Sequence, residues 1–219
     1  MKIQKFLLTL LLFSFIGNST LAQDLFFGFT FNPAISKTSS LSGFNFNDHF
    51  IEQYAYSANI GLCLEKSIQE KSSFGVELLA VRMDGLASTE SQLTERKINT
   101  TQFYLGVPIY YRKTIGRLGI KGGIQSLIFL TANEQLNVFE LMNGSFQWTE
   151  SQEVRGIGTN NLDFGPKIGI DFDVFENFRL RADYYHGLKN PSTNEFSFED
   201  SMKQISLGVS FLFGINLEN

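Results

Sequence analysis

The sequence predicts an all-β protein, an eight-stranded antiparallel up-and-down β-barrel that crosses a membrane with its strands. Apolar residues recur at every second position in eight segments of about nine to thirteen residues, the length of a tilted membrane-spanning strand. Long and short gaps alternate between these segments. After the N-terminus, no apolar run approaches the ~18 residues that a helical span requires. These three observations predict a transmembrane barrel.

Residues 1–22 are predicted to be a cleaved signal peptide, and residues 23–219 the barrel domain. Two lysines precede an apolar run over residues 6–16, which is too short to cross a bilayer as a helix. Thr20 and Ala22 place small residues at positions −3 and −1 of a cleavage site. The alternative is a membrane-anchoring helix, which the short apolar run and the polar residues after it disfavour.

The first four segments each present one apolar face and one polar or small face. In the first segment, Phe27, Phe29 and Phe31 alternate with Gly28 and Thr30. This period of two is typical of a strand with two different environments. The apolar positions of segments two to four are Tyr54, Tyr56, Ala58, Ile60, Leu62 and Leu64, then Phe74, Val76, Leu78 and Ala80, then Phe103, Leu105, Val107, Ile109 and Tyr111.

The last four segments follow the same alternation. Segment six is the clearest, because seven apolar residues alternate with aspartate, lysine and glycine. The apolar positions of segments five to eight are Leu118, Ile120, Ile124, Ile128 and Leu130, then Leu162, Phe164, Pro166, Ile168, Ile170, Phe172 and Val174, then Phe178, Leu180, Ala182, Tyr184 and Leu188, then Ile205, Leu207, Val209, Phe211, Phe213, Ile215 and Leu217.

The gap lengths predict which end of the barrel faces outward. Eight antiparallel strands with both termini at the short-turn end give short periplasmic turns and long external loops. The predicted long loops are 37–52, 84–101, 132–160 and 189–202, and the short turns lie near 67–73, 113–116 and 175–177.

Short motifs in a fixed order add a resemblance to a known family. They are Gly61-Leu62, Phe74-Gly75-Val76-Glu77-Leu78, Gly106-Val107-Pro108-Ile109-Tyr110-Tyr111, Lys121-Gly122-Gly123, Phe164-Gly165-Pro166-Lys167-Ile168-Gly169, Arg181-Ala182-Asp183-Tyr184-Tyr185-His186-Gly187-Leu188 and Ile205-Ser206-Leu207-Gly208-Val209-Ser210-Phe211. In this order the chain resembles the small outer-membrane β-barrel family often labelled "porin family protein". The resemblance implies an eight-stranded barrel in a Gram-negative outer membrane, and it implies no single activity.

The polar faces predict a charged lumen, because eight strands enclose a space that side chains just fill. Buried charges need partners or water. We therefore expect an ion-paired network that closes the lumen; the alternative is a narrow channel for small solutes. The network residues are Glu65, Glu77, Arg112, Lys121, Lys167, Asp171, Asp173, Arg179, Arg181 and Asp183, and Asp163 shares their face.

The third long loop contains a predicted hairpin. Asn143-Gly144 is a strong two-residue turn signal, and it would pair Phe139 with Trp148 and Leu141 with Phe146. Exposed aromatic ribbons are candidates for contact with a partner or glycan. The alternative is that these residues only stabilise the hairpin or pack over the barrel mouth.

Several function classes are disfavoured by composition. The chain has 18 basic and 22 acidic residues and no basic cluster, so we expect no nucleic-acid partner. The single Cys63 and the two histidines offer no metal-ligand spacing. Asp171, Asp173 and Asp183 share a face, but nearby arginines favour ion pairs there. We expect no metal and no cofactor.

His186 is a candidate catalytic base, and it is predicted to lie on the lipid face near the outer rim. No serine lies on its face within two residues, although nucleophilic catalysis needs a serine beside a base. We therefore predict a non-enzymatic, monomeric outer-membrane protein that contacts lipid and acts structurally or through its surface loops. The alternatives are a narrow pore, a lipid-modifying enzyme and a secreted barrel of lipocalin type with inverted faces.

Overall fold

The computed structural model describes residues 25–37, 51–90, 94–142, 145–155, 162–189 and 201–215. The predicted signal peptide, the Asn143-Gly144 turn and the residues after Ile215 lie outside the described residues. Within the described ranges, no helix has the length and apolarity to cross a bilayer.

The described chain forms nine β-strands and no other long element. They are β1 (Leu25–Lys37), β2 (Ile51–Gln69), β3 (Ser72–Glu90), β4 (Thr94–Ile115), β5 (Leu118–Met142), β6 (Ser145–Arg155), β7 (Leu162–Phe175), β8 (Phe178–His186) and β9 (Lys203–Ile215).

The strands close into an eight-stranded antiparallel barrel, as the sequence predicts. β1 pairs with both β2 and β9, and β4 pairs with both β3 and β5, so the ring has no gap. The long β5 has two partners on its other side. Its first half pairs with β7 up to Ile128–Leu162, and its second half pairs with β6 from Ala132–Arg155 onward. β6 and β7 therefore occupy one position in the ring.

The apolar residues face outward and the polar residues face the lumen. Leu207 is 66% exposed, whereas Glu77 is 1% exposed. A soluble barrel of lipocalin type would show the opposite arrangement, so that alternative is wrong. Each strand of the ring contributes an exposed large apolar side chain, for example Phe29, Ile60, Leu78, Ile109, Ile124, Ile170, Leu180 and Leu207.

Two of the predicted long loops are β-ribbons rather than loops. β3 and β4 stay paired out to Glu90–Glu95, and β5 and β6 stay paired out to Met142–Ser145. Most of the predicted gaps 84–101 and 132–160 is therefore strand. The apolar alternation fades there because the ribbon leaves the lipid, while β-branched residues such as Ile98 and Thr100 still favour extended backbone.

A bulge in β5 separates the barrel from this extension. Phe129 pairs with Tyr104 and Thr131 pairs with Phe103, so Leu130 has no directly opposite residue. Phe129 and Ala132 are both buried in the lumen. The extra residue thus shifts the alternation by one position, as bulges do.

The three described turns at the other end are short, as predicted. They join Gln69 to Ser72, Ile115 to Leu118 and Phe175 to Phe178. Gly116 adopts a φ of 62° in the middle turn, a backbone conformation that glycine tolerates at no steric cost. By the rule of short periplasmic turns, this end faces the periplasm.

Candidate functional site

The ten charged residues predicted for the lumen all lie on the inner face, and contacts join them into one network. Nine of the ten are buried, and the Asp173 side chain is 31% exposed. Strands β2, β3, β4 and β5 and the β7–β8 hairpin supply them, so the network connects opposite walls of the barrel. Their arrangement follows from the period of two, which places every second residue of each strand inside.

Arg181 of β8 is the centre of the upper part of this network. Its Nη2 lies 2.7 Å from Glu77 Oε1 on β3 and 3.0 Å from Asp183 Oδ2. Its Nη1 donates to Thr30 Oγ1 at 2.9 Å and to Ser210 Oγ at 3.0 Å. One buried guanidinium thus ties β1, β3 and β9 to β8.

Lysines extend the upper part toward β5 and β7. Lys121 Nζ lies 2.7 Å from Asp183 Oδ1 and 3.1 Å from Asp171 Oδ1. Lys167 Nζ lies 3.7 Å from Glu77 Oε2. Glycines make room for these long side chains, since a Cβ at Gly169 would collide with Asp183 and Lys121.

Arg112 and Arg179 organise the lower part, nearer the short turns. Arg112 Nε lies 3.0 Å from Asp171 Oδ2, and its Nη2 lies 2.8 Å from Asp173 Oδ2. Arg179 Nη1 lies 2.8 Å from Glu65 Oε2 and its Nε lies 2.8 Å from Asp173 Oδ1. The two arginines share carboxylates and join β2, β4, β7 and β8.

The network is balanced in charge, because five carboxylates face five cationic side chains. The three aspartates considered as a cation site each lie within about 3 Å of a cationic nitrogen: Asp171 at 3.0 Å, Asp173 at 2.8 Å and Asp183 at 2.7 Å. Among the described residues, no group of three or more histidine, cysteine or acidic residues has the geometry of a metal site.

An apolar layer lies above the charged network, toward the long-loop end. Its members are buried and in mutual contact: Leu79, Val81, Met83, Tyr104, Leu127, Phe129, Ala132, Tyr185 and Met202. Tyr104 and Phe129 pack edge to face with centroids 5.6 Å apart. The bulge in β5 and the register of the opposing strands bring these members together.

The opposite end of the lumen is open and polar. A cavity of about 820 Å³ enters between the short turns and reaches Glu65, Arg112 and Arg179. Ser72, Asp173 and Asn177 are among the other residues that line it. The cavity therefore opens at the short-turn end of the barrel and reaches the lower part of the charged network.

Asp163 stands apart from the network and holds the outer end of β8. Its carboxylate accepts a hydrogen bond from Tyr185 Oη at 2.7 Å, and others from the backbone N–H groups of Leu188 and Lys189 at 3.2 and 3.1 Å. The side chain of Asp163 therefore fixes the chain as it leaves the barrel.

The outer rim contains an arrangement that the sequence did not predict. His186 ends β8, and its Nε2 lies 3.2 Å from Ser201 Oγ. Its Nδ1 lies 2.9 Å from Tyr184 Oη. The sequence shows no serine within two residues on the face of His186, and Ser201 is a partner from across the strands, which the sequence alone cannot reveal. The β8–β9 pairing explains this contact. His186 is the partner of Lys203, so Ser201, two residues before Lys203, lies close to the end of β8.

The ribbon residues predicted for surface contact have the predicted register. Phe139 is the Cα partner of Trp148, and Leu141 is the partner of Phe146. The hairpin extends β5 and β6 beyond the ring of barrel strands.

The family comparison agrees with this architecture. A family profile described as "Outer membrane protein beta-barrel domain" matches residues 21–192. The chain belongs to this outer-membrane β-barrel family. No curated protein matches the chain in sequence.

The chain is also similar to several solved structures at low sequence identity. Ail of Yersinia pestis, in complex with the heparin analogue sucrose octasulfate, is 12% identical with a TM-score of 0.43, covering 87% of this chain and 99% of Ail. Neisserial surface protein A is 15% identical with a TM-score of 0.40, covering 86% and 97%. The protease OmpT of Escherichia coli is 7% identical with a TM-score of 0.35, covering 87% and 96%.

Proposed function

We propose that this outer-membrane barrel is a non-conducting scaffold that displays its β5–β6 ribbon for contact at the cell surface. The observation that supports this proposal is the filled interior, in which a charge-balanced network lies below a buried apolar layer. Eight-stranded barrels have interiors that side chains just fill, and water-filled channels belong to barrels of about sixteen strands or more. A protein that only contacts partners at the cell surface needs neither catalysis nor transport by its lumen residues.

The ribbon supplies the surface for this contact. Eleven residue pairs join β5 to β6 in register, from Ala132–Arg155 to Met142–Ser145. Its sequence carries four glutamates, at positions 134, 140, 150 and 153, against the single basic residue Arg155. An acidic ribbon attracts basic partners and repels sulfated glycans. The proposed partner is therefore a basic protein surface rather than a polyanion.

The test compares cells that display the full-length protein with cells that display a shortened ribbon. Replacing residues 138–149 by Asn-Gly joins Asn137 to Glu150, which are already Cα partners, through a favoured hairpin turn. Retention is measured on surfaces coated with a basic protein, a sulfated polysaccharide or a neutral glycan. We expect retention on the basic surface that the shortened ribbon loses.

The matched control keeps the ribbon and changes only its charge. Glu150→Gln combined with Glu153→Gln leaves the length and register unchanged, so it isolates the electrostatic contribution. Equal retention of all three proteins on every surface would contradict the proposal. Folding of each variant is verified by its shift in gel mobility without boiling.

A further inference from the structure

Two polar side chains meet on the outward face of the barrel at its outer rim. The last β8–β9 pair is His186–Lys203, and the pairing continues as Gly187 N–H donates to Met202 O at 2.7 Å. Met202 belongs to the apolar layer inside the lumen. Ser201 precedes β9, and the 3.2 Å contact of its Oγ with His186 Nε2 places it beside the outward face of β8.

The contacts form a chain of three groups. Ser201 is buried and His186 is half-buried. The two distances fit either tautomer of the imidazole, and in one of them Tyr184 Oη–H donates to Nδ1 while Nε2–H donates to Ser201 Oγ. In the tautomer that activates the serine, His186 Nδ1–H donates to Tyr184 Oη at 2.9 Å, and His186 Nε2 accepts from Ser201 Oγ–H at 3.2 Å. In this tautomer the imidazole is a base aimed at the serine hydroxyl. A nucleophile, a base and a group that orients the base are the parts of an activated serine.

The location points to a class of substrate. Tyr184 is the Cα partner of Ile205 on β9, which is exposed and apolar, so the cluster borders the lipid-facing belt. Lys203 lies opposite His186, and Lys189 follows three residues later. Basic residues at a membrane surface attract anionic lipid headgroups.

We propose that Ser201 and His186 hydrolyse an acyl ester of a phosphorylated lipid in the outer leaflet. This inference goes beyond the scaffold role and does not rest on it. Ser201 is the nucleophile and His186 is the general base and acid. Tyr184 is a positioning residue, because it acts on the substrate only through the imidazole.

The reaction balances with water as the co-reactant. Ser201 Oγ forms a bond to the ester carbonyl carbon, and its proton passes to His186 Nε2. The bond to the alcohol oxygen breaks, and the alcohol leaves with that proton. Water then attacks the acyl-serine, gives a proton to Nε2 and releases the fatty acid as the proton returns to Ser201.

The first experiment treats the folded full-length protein in detergent micelles with a fluorophosphonate, which phosphonylates activated serines and releases fluoride. We expect labelling that mass spectrometry assigns to Ser201. Ser201→Ala and His186→Gln should abolish it. The matched control is Ser206→Ala, which removes a buried serine of β9 that faces the lumen. Absence of labelling in the folded wild-type protein, or labelling that persists in Ser201→Ala, would overturn the proposal.

The second experiment measures fatty-acid release from mixed detergent micelles that carry either phosphatidylglycerol or an uncharged diacylglycerol. We expect release from the first at a higher rate. Tyr184→Phe should lower kcat by about tenfold or more and leave KM unchanged, whereas a merely structural role would change neither. Labelling of Ser201 without fatty-acid release would refute a lipid ester as the substrate.

Discussion

Arg181 is the single side chain on which the lumen depends most. Its guanidinium contacts Glu77, Asp183, Thr30 and Ser210, and its side chain is 3% exposed. Removing one partner of a buried ion pair leaves an uncompensated charge, which costs about 3–5 kcal/mol. The role of this network is therefore best tested at this residue.

We predict that Arg181→Ala destabilises the barrel by about 3–5 kcal/mol. The measurement is the urea midpoint of unfolding in micelles, read from the heat-modifiable gel band. The matched control is Arg82→Ala, because Arg82 also pairs with an aspartate, Asp84, at 2.7 Å but is 52% exposed. Exposed pairs contribute about 0–1 kcal/mol. Similar small losses in both variants would contradict the structural role of the network.

A glycine pair tests the close packing of the same network. A Cβ at Gly169 would collide with Asp183 and Lys121, whereas a Cβ at Gly122 meets nothing within 4 Å. Gly169→Ala should lower the stability of the barrel by about 1–3 kcal/mol, since added atoms in a packed interior force displacement. Gly122→Ala should leave the urea midpoint unchanged or raise it. A loose, solvent-filled lumen would instead tolerate both substitutions equally.

At the scale of elements, the ribbon register is the feature most open to test. Phe139 is opposite Trp148, so Phe139→Cys with Trp148→Cys should form a disulfide on mild oxidation. Phe139→Cys with Gln147→Cys is the control, since neighbouring positions on a strand point to opposite faces. The products are resolved as gel mobility differences with and without reductant. Cross-linking of the control pair alone would mean that the register is shifted by one residue.

The alternation in the sequence was sufficient to assign the faces of the strands. Lipid outside and charges inside impose a period of two, so Ile168 and Ile170 could be assigned outward and Lys167 and Asp171 inward from the sequence alone. The strand ends were not predictable in this way, because above the membrane both faces meet water and the alternation fades. The bulge at Leu130 likewise depends on which residues of β4 oppose β5.

The composition of the lumen was predictable, but its pairing was not. Each charged residue could be placed on the inner face, whereas the partner of Arg181 across the barrel, Glu77, depends on the stagger between β3 and β8. The Ser201–His186 contact was missed for the same reason. Ser201 lies fifteen residues after His186 in the chain, and only the β8–β9 register brings them together.

At the scale of the whole molecule, the barrel combines an open, polar short-turn end with a buried apolar layer toward the long-loop end. The cavity of about 820 Å³ reaches Arg112 and Arg179 from below. The apolar layer lies above this cavity, and its edge-to-face pair Tyr104–Phe129 crosses from β4 to β5. We therefore predict that solutes enter the lumen from the short-turn end without passing through it.

Planar-bilayer recording of the purified full-length protein tests the sealed lumen most directly. We expect no stable single-channel steps from the wild-type protein, and none from Arg82→Ala, which changes only an exposed charge. A variant that truncates the apolar layer, Leu79→Ala with Leu127→Ala and Phe129→Ala, should show steps if that layer is the barrier. Stable unitary steps from the wild-type protein that shift in Arg181→Ala would contradict the account, because ions would then pass through the charged network.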